Sequence, residues 1–347
     1  MSIKREELSV PGYEKVTYCE DASSGLRAII SIHSTALGAA CGGIRLLPYT
    51  SREEALTDVS RLSKGMSYKS AVAGINFGGG KSVILCDPAK KTPAMFQAFG
   101  EFVESLEGRY IAAQDMNITA IDLQEVRKKT RHVLGVEGQP GTSGDPSPVT
   151  ARGVLRALEA TAKQLGTARG LDGIRIAIQG LGSVGYALAE MAYDAGAELF
   201  VSDISPQVVE RAVDDLAAEP LEGDAIYEVE CDIFSPNARG AILNQTTIPR
   251  LKCKAVCGAA NNQLATDEDA MRLQERGILY APDYVANAGG IINIFVEHEG
   301  YSQAKAFERT DRIRDTLTTI FDRARTEKVP PSVIADRMAE ERIRAGR

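Results

Sequence analysis

The sequence predicts an α/β protein of two domains, and three observations carry that expectation. The chain has 347 residues, long for one domain and suited to two. Short apolar runs that read as strands, LRAIISIH, AVAGINF, SVILC and RYIAA, are separated by segments of helical periodicity. Near the middle the composition shifts: GVEGQPGTSGDPSP, residues 135–148, is rich in glycine, proline and serine and reads as a linker or hinge. The predicted division is an α/β domain at 1–138, a second domain at 139–325 and a helical tail at 326–347.

Composition excludes several functions before any motif is read. The chain is 44% hydrophobic and 25% charged, with a net charge of -7. That balance argues against nucleic acid or an anionic membrane as the main partner. The N-terminal MSIKREELSVPGYE lacks the apolar centre of a signal peptide, and no apolar run approaches the roughly 18 residues of a membrane helix, so a cytoplasmic location is predicted. Six cysteines form no CxxC pair and there are only three histidines, so no metal site is expected. A reducing compartment suits all six.

In the first domain, Ser51 followed by Glu54 reads as a capping box, and Leu56, Val59, Leu62 and Met66 then recur at helical spacing. The helix is predicted to end near residues 65–67, with Lys69 just beyond it. FGGGKSVI, residues 77–84, then sets one lysine behind three glycines. It is not a phosphate-binding loop, because that pattern needs a glycine where Ile75 stands and a helix after the lysine. SVILCDP instead reads as a buried strand ending at Asp87-Pro88. A solvated lysine is the ordinary alternative. Here three residues without side chains permit close approach and an apolar strand follows, so Lys81 is predicted to be partly desolvated. Desolvation lowers a lysine's pKa and makes the amine usable as a base near neutral pH. Lys69 and Lys81 are predicted to converge on one cleft. A helix over residues 93–107 puts Phe96, Phe99 and Val103 on a core face.

After the linker, Thr150 to Leu165 reads as a helix. The following LDGIRIAIQGLGSVGYALAEMAYDAGAELFVSDIS spells strand, tight turn, helix, strand. Gly180, Gly182 and Gly185 form G-x-G-x-x-G between strand and helix, with Ser183 and Val184 at the helix start. Asp203 closes the next strand. In that context the first glycine permits the turn, the second admits a pyrophosphate, and the third lets helix and strand close together. The acid would accept hydrogen bonds from ribose hydroxyls and repel a 2′-phosphate. A Rossmann-type, doubly wound domain binding NAD in preference to NADP is predicted. The tail reads as one long helix, a break at Pro330-Pro331 and a short charged helix that caps the fold, returns to the first domain or joins a subunit contact.

Seven stretches in order, GGIRLLPY, the Lys69 to Lys81 pair with GGGKS, AAQDMNIT, GDPSPVTARGV, QGLGSVG, GAANNQL and APDYVANAGGIINI, resemble the glutamate/leucine/phenylalanine/valine dehydrogenase family, nearest its leucine dehydrogenase branch. The likeness runs over about residues 10–325. It implies NAD-dependent oxidative deamination of an L-amino acid by a homo-oligomer. By match to the family's motifs, Lys81 is the general base that activates water, Asp115 passes protons to and from the departing nitrogen, and Lys69 with Asn262 holds the substrate carboxylate near Gly42 and Gly43. Thr150 orients the nicotinamide carboxamide, and Asn261 joins the cofactor set. Cys41 stands where the glutamate-specific branch has a lysine for the distal carboxylate, so glutamate is disfavoured. By the same match, Ala113, Ile291 and Ile294 stand at the family's side-chain pocket, and all three are apolar. That pocket implies a branched-chain, leucine-like substrate, with phenylalanine or tryptophan as the alternative. A non-catalytic NAD-binding sensor is the reading from a different class.

Overall fold

The computed structural model describes residues 3–136 and 141–346. Residues 137–140 of the predicted linker, and with them the predicted 138/139 boundary, lie outside the described residues. The chain forms two compact units. The first is Met1–Gly144 with Ile294–Ser302 and Met338–Arg347, and the second is Asp145–Asn293 with Gln303–Arg337. Short stretches from beyond residue 290 thus belong with the N-terminal unit, and the predicted tail is shared between the two units.

In the first unit, strands β1 (Lys4–Leu8), β2 (Lys15–Asp21), β3 (Leu26–Ser34), β4 (Ala40–Leu47), β5 (Gly78–Leu85) and β6 (Tyr110–Gln114) form one sheet. Its order is β1-β2-β3-β5-β4-β6. The pairings β1-β2, β2-β3 and β3-β5 are antiparallel, while β4 lies parallel to both β5 and β6. Successive strand residues alternate between faces. Ala28, Ile30 and Ile32 of β3, with Ile44 and Ile84, join the cluster that holds Phe96, Phe99, Phe102, Leu123 and Val126. Those last five come from helices α2 (Pro93–Glu104) and α3 (Ala120–Arg127). On the other face Ile29, Val83 and Leu85 meet Ala55 and Val59 of helix α1 (Arg52–Val72).

Two local expectations fail, for one reason. AVAGINF is not a strand: α1 continues through Val72 and ends where the Ala73 N–H reaches Lys69 O and Gly74 takes φ +73°. Lys69 therefore lies in the last turn of α1 rather than beyond it. Nor does the buried strand begin at Ser82, since the three glycines before it open β5, whose eight residues are all buried. A Cβ on Gly79 would stand 2.0 Å from Ser67 Oγ, and one on Gly80 would stand 2.7 Å from the Tyr110 ring. The absent side chains let α1 approach the sheet so closely that Ser63 and Ser67 serve as its inner face. There Ser63 Oγ shares a 2.8 Å hydrogen bond with Ser31 Oγ, and Ser67 Oγ one of 2.8 Å with His33 Nδ1. With no proline or helix-breaking turn before Gly74, the helix runs on under that contact.

The second unit opens with α4 (Ser147–Gln164), which starts three residues before the predicted Thr150. Strands β7 (Arg175–Gln179), β8 (Glu198–Ser202), β9 (Glu219–Pro220), β10 (Ile233–Pro236), β11 (Ala255–Val256) and β12 (Leu279–Tyr280) form a sheet in the order β12-β11-β10-β7-β8-β9. Every pairing is parallel. This is the doubly wound order, with its reversal between β7 and β10. Helices α5 (Ser183–Asp194), α6 (Pro206–Leu216) and α7 (Glu268–Glu275) connect the strands. Beyond β12 follow α8 (Asp283–Ala286), α9 (Gly289–His298), α10 (Gln303–Asp311), α11 (Ile313–Glu327) and α12 (Pro331–Ala345). Asp311 ties α10 to α4 by accepting from Arg152 and Arg156, each at 2.7 Å. Among the described residues no helix is long and apolar enough to cross a membrane.

Candidate active site

Lys81 sits in mid-β5 and is 6% exposed. Its Nζ lies 2.6 Å from Asp115 Oδ2, just past the end of β6. The same carboxylate oxygen accepts from Arg45 Nε of β4 at 3.2 Å. Burial pulls the Lys81 amine below its ordinary pKa, against the attraction of Asp115 and with added repulsion from Arg45. Burial pushes the Asp115 carboxyl up, but Lys81 and Arg45 together hold it below the usual aspartate range. The pair thus combines an amine that sheds its proton readily with a carboxylate that stays ionised, an arrangement suited to proton transfer.

The Gly42-Gly43 segment is not a turn but part of β4. Parallel pairing sets Gly42 and Gly43 beside Ala112 and Ala113 of β6. A Cβ at Gly42 would lie 1.8 Å from Gly80 O and 3.1 Å from Lys81 Cα, and one at Gly43 would lie 2.6 Å from Asp115 Cβ. Both glycines are needed for β4 to press against the Lys81–Asp115 pair. Cys41 is fully buried opposite Gly79, and burial pushes its thiol up to about 12, so it stays neutral. Ala113 is buried. Lys69 is half-buried on α1, and Ile294 of this unit lies beside Gly135.

In the second unit, Gly180 (φ +93°) follows β7, and its N–H reaches Ser202 O at 2.8 Å. A Cβ at Gly180 would meet that of Ala238 at 2.8 Å, and one at Gly185 would stand 2.0 Å from Gly180 O. Gly182, by contrast, has nothing within 4 Å where a Cβ would be. It is the N-cap of α5 and carries no side-chain cap, so the first N–H groups, at Ser183 and Val184, lack the usual side-chain acceptor. Asp203 accepts from Leu181 N–H at 2.7 Å and from Ser205 N–H at 2.9 Å, which fixes its carboxylate at the end of β8. An open glycine, a helix start and a fixed acid fit a dinucleotide. Thr150 lies in the first turn of α4, where its hydroxyl donates to Pro146 O at 2.9 Å. Asn261 and Asn262 are exposed, Asn262 with φ +51°. Ile291 is buried.

With this geometry stands a match in sequence. The model of the Glu/Leu/Phe/Val dehydrogenase dimerisation domain matches residues 14–133, and that of Glutamate/Leucine/Phenylalanine/Valine dehydrogenase matches residues 202–332. The chain belongs to this family. Its Glu/Leu/Phe/Val dehydrogenase relatives include the leucine dehydrogenase of Thermoactinomyces intermedius, 49% identical over 332 residues, 95% of this chain and 91% of that one. The phenylalanine dehydrogenase of Bacillus thermotolerans is 47% identical over 339 residues, covering 96% and 89% of the two chains. The crystal structure of L-tryptophan dehydrogenase from Nostoc punctiforme superposes with a TM-score of 0.88 at 42% identity and covers 96% of each chain. The predicted family and two-domain α/β class are borne out, and the protein is an oxidoreductase of the amino-acid dehydrogenase type.

Three residues went unremarked in the sequence. Arg45 bridges Asp115 and Asp58 of α1, with Nη1 3.2 Å from Asp58 Oδ2. Asn287 donates from Nδ2 to Ala259 O at 3.0 Å and to Asn261 Oδ1 at 2.9 Å, so it shapes the loop of the two candidate asparagines. Arg45 and Asn287 both stand inside the quoted family stretches, but a charge in a strand and an amide before two glycines carry no local signal of their partners.

Proposed function

We propose that the protein catalyses the reversible, NAD-dependent oxidative deamination of a hydrophobic L-amino acid, branched-chain and leucine-like, to the 2-oxo acid and ammonia. The observation that carries this reading is the buried 2.6 Å contact of Lys81 with Asp115 beside Gly42 and Gly43. In it, Lys69 and Asn262 hold the substrate carboxylate, with Lys69 as the ion-pair partner. Neutral Lys81 removes a proton from water as that water adds to the imine carbon. Asp115 gives and takes the protons that the amino nitrogen needs in order to leave as ammonia. NAD, when bound, supplies the acceptor for the hydride leaving Cα. Gly180, Gly182, Gly185, Ser183, Val184 and Asp203 would hold its pyrophosphate and ribose, with Thr150 and Asn261 at the nicotinamide end.

Substrate class follows from charge. A distal carboxylate would need a cation, and Cys41 provides a neutral thiol. Ala113 and Ile291 are apolar and buried, and Ile294 is apolar as well. Relatives named phenylalanine and tryptophan dehydrogenase favour an aromatic substrate as the second reading, because a methylene in such a pocket is worth only about 1–3 kcal/mol. The reading includes a cytoplasmic homo-oligomer, supported by the match of residues 14–133 to a dimerisation domain and by the exposed edge strand β1. It also assigns substrate groups mainly to the first unit and NAD to the second.

The test is initial-rate NADH formation at alkaline pH with leucine, valine, phenylalanine, tryptophan and glutamate, repeated with NADP. Fastest turnover of leucine or valine with NAD is the expected result. Preference for glutamate overturns the pocket reading, and NAD binding without any turnover favours the sensor.

A further inference from the structure

We propose that Arg45, braced by Asp58 and Tyr49, is a positioning residue that presses Asp115 against Lys81 and biases which of the two carries the proton. The inference rests on the deamination reading above and deepens it. Five side chains of the first unit meet in sequence. Lys81 Nζ is 2.6 Å from Asp115 Oδ2, and Arg45 Nε is 3.2 Å from that same oxygen. Arg45 Nη1 is 3.2 Å from Asp58 Oδ2, and Tyr49 donates to that oxygen at 2.6 Å. The planar guanidinium thus uses two of its edges on two carboxylates, which a lysine's single ammonium cannot match in geometry.

The charges have opposite consequences. Arg45 places a fixed positive charge beside the pair and disfavours the protonated amine, while Asp58 partly cancels it and favours that form. Asp115 is held ionised by Lys81 and Arg45 together, after burial has pushed the other way. The Tyr49 phenol, raised first by burial and then by Asp58, keeps its proton directed at Asp58. Other titratable groups on the packed elements include Cys41 on β4, kept neutral by burial, Tyr110 on β6, His33 on β3 and Lys69 at the end of α1. Tyr110 donates to Gly42 O at 2.7 Å, and burial raises its phenol, so it stays uncharged. In the chain from Tyr49 through Asp58, Arg45 and Asp115, Arg45 is the one permanent cation next to Lys81.

The experiment reads the proton on Lys81 without relying on turnover. The full-length protein is labelled with acetic anhydride over a pH series, and the rate of acetylation at Lys81 is followed by peptide mass spectrometry. The pH profile of kcat/KM for deamination is recorded alongside. In Arg45→Gln, both midpoints should move up by on the order of one pH unit. In Asp58→Asn they should move down, and in Arg45→Lys, which keeps the charge but not the fork, they should move up by less than in Arg45→Gln. If Arg45→Gln does not fold, the downward shift of Asp58→Asn decides. Midpoints that do not move, or that move the same way in Arg45→Gln and Asp58→Asn, overturn the proposal and leave Arg45 a structural brace. Labelling shifts in a protein that deaminates no amino acid would instead sink the substrate reading and leave the charge chain standing.

Discussion

The two glycine-rich stretches, Gly78–Gly80 and Gly180–Gly185, look alike in the sequence and do opposite things in the structure. In the first, the space that each Cβ would fill is already taken by the protein: Ser34 O and Gly38 O at Gly78, Ser67 at Gly79 and the Tyr110 ring at Gly80. In the second, Gly180 and Gly185 are likewise packed, but Gly182 faces open space at the start of α5. The first run is a packing device that brings α1 and β4 onto β5 and leaves the Lys81 amine dry. The second keeps one backbone position clear, as a phosphate-bearing ligand requires. Glycine count does not separate the two; what fills the missing side chain's place does.

The contrast is sharpest in alanine substitutions. Gly42→Ala and Gly79→Ala should be the most damaging, since the new methyl would lie 1.8 Å from Gly80 O in one and 2.0 Å from Ser67 Oγ in the other. Each is expected to cost about 3 kcal/mol or more, read as loss of the thermal transition or of soluble protein. Gly182→Ala should leave the melting temperature unchanged or slightly raised, because its φ of -65° suits alanine. Its NAD affinity, measured by fluorescence titration, should nevertheless fall about tenfold. A melting temperature lowered as far as in Gly79→Ala would erase the distinction. Asp203→Ser should shift the NAD-to-NADP ratio of kcat/KM toward NADP by roughly tenfold, or ~1.4 kcal/mol. Of similar size is the effect of Arg342→Ala. Arg342 donates to Ala71 O at 2.7 Å and to Asn76 Oδ1 at 3.0 Å, clamping the end of α1. Its loss should cost ~1–2 kcal/mol in denaturant unfolding and raise KM for the amino acid, since Lys69 lies in that turn.

Much of the second unit was legible because its signals are local. Gly180, Gly182, Gly185 and Asp203 sit in one strand-turn-helix-strand stretch, and the parallel sheet follows from that pattern. The first unit was harder to read. The spacing of Leu56, Val59, Leu62 and Met66 marked α1 correctly, but its inner face is set by Ser63, Ser67 and Ser70, which only the close approach of β5 explains. Lys81 was readable as a buried amine from its neighbours in sequence. Arg45 and Asp58 were not, because their meeting with Asp115 joins residues 13 and 70 positions apart across a sheet and a helix. Thr119 and Asp122, three residues apart, form the capping box of α3. Backbone-local pairs of that kind are readable; cross-strand charge chains are not.

The most direct test of the central claim is the pH dependence of kcat/KM for deamination in the parent protein and in Lys81→Ala. The account predicts a rise in activity with a midpoint below 10.5, the ordinary lysine value, as the buried amine loses its proton. It also predicts a loss of about 10²–10⁴ in Lys81→Ala, with that rise abolished. Activity retained in Lys81→Ala with the same midpoint would contradict it.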